Sequence, residues 1–92
     1  MSKLSEKNIQ KLKEQILSVI YLNHFNPLFT SQIANELIRD EEFVLKLLKN
    51  LKKEGIIQEI NKNNDGKRYL ARKKWLLKNK AYNEYKRLYE DQ

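Results

Sequence analysis

Apolar side chains at Ile9, Leu12, Ile16 and Ile20, with Leu17 and Val19 between them, recur at the three-to-four spacing of one helix face. Ser5 before them is a good N-cap, so the pattern predicts a helix from about residue 6 to about 23. Asn26-Pro27 then interrupts the helical pattern, and Leu28-Phe29 reads as a short extended piece. Thr30 is the expected N-cap of a second helix, TSQIANEL, whose buried face is Ile33, Ala34 and Leu37. After Ile38 and Arg39, Asp40 is the expected cap of a third helix, EEFVLKLLKNLKKEG, with Val44, Leu47, Leu48 and Leu51 on one side. Gly55 stands where a left-handed C-terminal cap is wanted.

Beyond Gly55 the period changes. The β-branched run IIQEI at 56–60, the turn cluster NKNNDG at 61–66 and KRYLAR at 67–72 together predict a hairpin, with Asp65-Gly66 as its turn. From about Lys73 the pattern again reads as helical, through WLLKNKAYNEYKRLYEDQ to the last residue. Trp75, Leu77, Ala81, Tyr82, Tyr85, Leu88 and Tyr89 would form a broad aromatic and aliphatic stripe along this helix. Such a stripe packs either back onto the first helix or against the same helix of a second chain, and the expectation is a homodimer.

The 92 residues suit one small domain, and 40% hydrophobic with 34% charged residues and two glycines suits a helix-rich, well-solvated fold. Without cysteine there are neither disulfides nor thiolate metal ligands, which is compatible with a reducing cytoplasm. The first fifteen residues mix charges with isolated apolar positions, unlike a secretory leader, and no run approaches the ~20 apolar residues of a membrane span. A cytoplasmic chain with no membrane partner is expected.

The formal net charge of +7 is not spread evenly. Between residues 61 and 80, Lys62, Lys67, Arg68, Arg72, Lys73, Lys74, Lys78 and Lys80 face only Asp65, so this segment carries the whole excess. A local field of one sign attracts polyanions, nucleic acid first among them.

The order helix, short strand, helix, helix, hairpin resembles the winged helix-turn-helix superfamily, most closely small regulators of the ArsR and MarR type. The resemblance is carried by TSQIANEL, by Asp40 with VLKLLKNLKKEGII, and by NKNNDGKRYL, and it covers roughly residues 9 to 72. One position departs from the pattern, because the turn after Leu37, often glycine in the superfamily, is Ile38 here. The resemblance implies a fold that is mainly α with a small β-hairpin, α-β-α-α-β-β, plus a long C-terminal helix. The expected division is a winged-helix part over 1–72 and a dimerisation helix over 73–92, within a single domain.

It also implies double-stranded DNA as partner, with the third helix in the major groove. At about 100° per residue, Glu42, Lys46, Lys49 and Lys53 lie opposite the buried stripe, with Asn50 beside them. Ser31 and Gln32 at the start of the second helix would approach the DNA backbone, and Lys62, Lys67, Arg68 and Arg72 would hold flanking phosphates or enter the minor groove. Asp40, Glu41 and Glu42 are an acidic start for such a helix. They stabilise its first turn against the helix dipole, and Glu42 has a second reading as an acceptor for a cytosine amino group. A winged helix that engages protein or RNA in a larger assembly is the alternative, and it accommodates the acidic start more easily.

Enzymatic chemistry has little to stand on. One histidine, no cysteine and no glycine-rich phosphate loop leave no catalytic residues to name, and no cofactor or small-molecule ligand is expected. His24, just past the first helix, is expected to meet the terminal carbonyls. Glu36, Asp40 and Glu41 are close in sequence but are not read as a metal site.

Overall fold

The structure, a computed structural model, describes residues 5–60 and 73–90. The elements are α1 (Glu6–Leu22), α2 (Thr30–Leu37), α3 (Glu41–Lys53), β1 (Ile57–Ile60), β2 (Lys74–Leu77) and α4 (Asn79–Glu90). Leu12, Ile16, Leu17 and Ile20 of α1 meet Ile33 and Ala34 of α2, Val44, Leu47, Leu48 and Leu51 of α3, and Ile57, Trp75 and Leu77 of the sheet in one core.

The helix ends follow from identifiable residues. Ser5 Oγ accepts from the Asn8 amide at 3.2 Å, and Asp40 Oδ2 accepts from the Phe43 amide at 3.0 Å, so both expected caps are in place. At the far end of α3, Gly55 has φ 81°, its amide donates to the Lys52 carbonyl at 3.0 Å, and the Ile56 amide donates to that of Leu51 at 3.1 Å. The end of α2 is built the same way without a glycine. Ile38 has φ 54° and ψ 52°, its amide donates to the Asn35 carbonyl at 3.2 Å, and the Arg39 amide donates to Ala34 at 3.0 Å.

Three expectations are corrected. Thr30 is the first residue of α2 and not its cap, a position taken by Phe29. The amide of Phe29 donates to Gln32 Oε1 at 2.8 Å, while the buried Thr30 Oγ1 accepts from the Trp75 indole Nε1 at 2.8 Å. An indole N–H carried into a core needs an acceptor, and that demand outranks capping.

The second correction concerns the hairpin. The strand paired with β1 is 74–77, antiparallel in the register Ile57↔Leu77 and Ile60↔Lys74, and the strand expected at 67–72 lies outside the described residues. Trp75 and Leu77 alternate with Lys74 and Leu76 in burial, the period of a strand half facing a core. On its other edge β2 meets the piece before α2, with a bridge between Phe29 and Lys74, the Thr30 amide donating to the Lys73 carbonyl at 3.2 Å and the Trp75 amide to that of Leu28 at 3.2 Å.

The third correction is that the terminal helix begins at Asn79 instead of near Lys73. No residue of α4 is fully buried, and it lies against the core through half-buried Ala81, Tyr82 and Tyr85. Among the described residues no helix is long and apolar enough to cross a membrane.

Candidate nucleic-acid interface

α3 is divided lengthwise. Val44, Leu47, Leu48 and Leu51 are buried, while Glu42, Lys46, Lys49, Asn50 and Lys53 are exposed on the opposite side, as the spacing predicts. Helix geometry supplies the reason, since these residues lie about 120° to 180° around the helix from Val44 and cannot reach the core. Glu41 and Glu42 fall in the first turn, beside the amides that Asp40 begins to satisfy.

At the start of α2, Ser31 and Gln32 are exposed. The Gln32 carbonyl oxygen is engaged by the Phe29 amide, so only its Nε2 group remains to donate outward. Lys62, Lys67, Arg68 and Arg72 lie outside the described residues.

The root of the wing holds a residue that composition does not single out. Glu59 on β1 has its Oε1 3.1 Å from Lys52 Nζ, at the end of α3, and 3.6 Å from Lys73 Nζ, next to β2. Burial pushes its carboxyl upward, but the hydrogen bond and charge of Lys52 and the charge of Lys73 together hold it below the ordinary value. Lys74 Nζ stands 4.8 Å from the centre of the Phe29 ring, a cation–π contact across the second seam of β2. Lys13 of α1 and Glu54 after α3 pair at 3.6 Å.

The residues expected to form a dimer divide into two groups. Trp75 and Leu77 are buried in this chain's own core, 1% and 0% exposed, and have no surface to offer a second subunit. Ala81, Tyr82 and Tyr85 are half-buried, and Leu88 and Tyr89 are exposed. The tyrosines of α4 pack in cis on Tyr21 of α1, with ring centres 5.5 Å apart for Tyr82, 5.8 Å for Tyr85 and 4.8 Å, stacked, for Tyr89. Burial raises the Tyr21 and Tyr85 hydroxyls above their usual value, reinforced by Tyr82 and Glu90 at Tyr21 and by Glu14 at Tyr85.

His24 does not cap the helix with its ring. The Val19 carbonyl is taken by Asn23 Nδ2 at 2.8 Å, while the His24 ring stacks on Tyr82 at 3.9 Å with Nδ1 buried and unpaired. Among the described residues no three His, Cys, Asp or Glu side chains come together as a metal site. Sequence reasoning missed Tyr21 and Glu59. Tyr21 lies off the main apolar stripe of α1, and Glu59 sits in a strand far in sequence from Lys73.

No family model matches the sequence, and the search of curated proteins finds no match. Solved structures do match. MepR of S. aureus, as a mutant from a multidrug-resistant clinical isolate, has a TM-score of 0.67 at 19% identity over 92% of this chain and 62% of that one. MepR in complex with DNA gives 0.65 at 21% identity over 92% of this chain and 76% of that one. ZitR of Lactococcus lactis, a zinc-responsive MarR family member, gives 0.62 at 22% identity over 98% of this chain and 56% of that one. The present chain thus spans less than two thirds of the MepR mutant and of ZitR. With α2 and α3 packed on α1 and on each other, and the antiparallel β1–β2 pair after them, the chain has the winged helix-turn-helix fold that these proteins share.

Proposed function

We propose that this is a DNA-binding protein that acts as a small dimeric transcriptional regulator or DNA-associated protein in the cytoplasm, without enzymatic activity. The observation that carries the reading is the exposed row Lys46, Lys49, Asn50 and Lys53 on the helix whose other face closes the core. A helix held rigidly from behind, with donors in front, suits the major groove. Gln32 Nε2 and Ser31 would meet the DNA backbone, and Lys62, Lys67, Arg68 and Arg72 the flanking phosphates. The likeness to the MepR complex with DNA supports this placement of the helices. Leu88 and Tyr89, exposed at the end of α4, are the surface proposed for the second subunit.

Titrations of duplex DNA, structured RNA and single strands at several salt concentrations test the reading. The duplex is expected to bind most tightly, with a steep fall in affinity as salt rises, and Lys67→Ala with Arg68→Ala is expected to lower that slope by about two. A preference for structured RNA, or no nucleic-acid binding at all, would favour the alternative of an interaction module. That alternative has one observation on its side, the exposed Glu41 and Glu42 at the start of α3.

A further inference from the structure

Glu59 sits where α3, β1 and β2 meet, and its single oxygen Oε1 serves two ammonium groups. The carboxylate lies beneath its partners. Its side chain is 16% exposed, against 52% for Lys52 and 46% for Lys73, so both cations remain open to solvent from above. Lys52 lies about 60° around α3 from Lys49, and so borders the face proposed for DNA. Lys73 directly precedes β2 at the root of the wing. An anionic oxygen held against two half-exposed lysines already supplies part of the negative charge that a phosphate would bring.

We infer that Glu59 is a built-in counterion that withholds Lys52 and Lys73 from the DNA backbone and so limits sequence-independent affinity. The inference rests on the DNA-binding reading above. A phosphate arriving at either lysine meets a charge already partly balanced by the one carboxylate at 3.1 to 3.6 Å, and must displace it or share the cation. The contacts proposed for the exposed face of α3 are untouched by this arrangement. Discrimination therefore rises because the background falls.

The variant is Glu59→Gln, which keeps the side-chain shape and an oxygen acceptor but removes the charge. Its binding to a random-sequence duplex is measured by fluorescence anisotropy over a range of sodium chloride concentrations. Each added phosphate contact steepens the logarithmic salt slope by about 0.9, so the slope is expected to grow by about one to two. Glu84→Gln on α4, which makes the same change in net charge elsewhere, is expected to leave the slope unchanged. Adding Lys52→Gln and Lys73→Gln to Glu59→Gln should abolish the gain. Glu59→Asp, which keeps the charge, should stay near the parent slope, and urea midpoints for every variant separate loss of folding from loss of binding.

A parent that binds while Glu59→Gln shows an equal or shallower slope overturns the inference and leaves the DNA-binding reading intact. That is also the result expected if Glu59 merely positions the wing. Binding gained by Glu59→Gln when the parent has none supports the inference. If neither binds, both fall.

Discussion

Ile38 holds a conformation that L-residues avoid, and relieving it should stabilise the protein. A non-glycine residue at φ 54° costs on the order of 1 to 2 kcal/mol, and branching at Cβ places isoleucine toward the upper end. Little packing would be lost on truncation, since the side chain is 89% exposed. At that exposure the burial forgone is about a tenth of the ~2 kcal/mol of a fully buried side chain. Glycine gives back some of the gain, about 0.4 to 1 kcal/mol, because it frees the unfolded chain. The net for Ile38→Gly is a stabilisation of about 1 kcal/mol, equivalent to roughly 4 to 8 °C in Tm for a chain of this size. Ile38→Asn, which tolerates the left-handed region with less freedom when unfolded, should do at least as well. Gly55→Ala is the mirror experiment. A Cβ there meets nothing within 4 Å, so only the φ of 81° opposes it, and a loss of about 1 kcal/mol is expected. Urea unfolding followed by circular dichroism, with unchanged m-values, reads all three. If Ile38→Gly and Ile38→Asn both destabilise the fold, the strain argument is wrong.

Thr30→Val should cost about 1 to 3 kcal/mol in the same assay by leaving the Trp75 indole N–H buried without an acceptor, whereas Thr30→Ser should retain most of the stability. The carboxyl of Glu59 is held below its unfolded value of 4.5, so its stabilising contribution is present above that pH and disappears as pH falls through the folded value. The stability difference between the parent and Glu59→Gln should accordingly be greatest near neutrality and close toward strongly acidic pH, and a difference that widens in acid would contradict the ion-pair account. Leu88→Glu with Tyr89→Glu should convert the proposed dimer to a monomer in light scattering, and a parent already monomeric at high concentration would end the dimer proposal.

The parts of this fold legible in the sequence are those governed by neighbours a few residues apart. Ser5, Asp40 and Gly55 mark helix ends through local hydrogen bonds, and the two sides of α3 follow from its period alone. Ile38 was identifiable as the turn position, although its left-handed backbone shows only in the folded chain. The parts that were not legible depend on distant partners. The apolar run of Trp75, Leu76 and Leu77 is too short to separate strand from helix by period, and what decides for a strand is hydrogen bonding to Ile57–Ile60 and to Leu28–Thr30. Thr30 looks like a cap until Trp75, 45 residues away, claims its hydroxyl. In the candidate site, the row on α3 was readable, whereas the Glu59 arrangement depends on a register that brings Lys73 beside β1.

β2 is gripped along both margins, by β1 on one side and by Leu28–Thr30 on the other. The first margin runs back through Gly55 into α3, and the second runs directly into α2. A pull transmitted along β2 therefore reaches both helices at once. Mechanically, the sheet acts as a yoke.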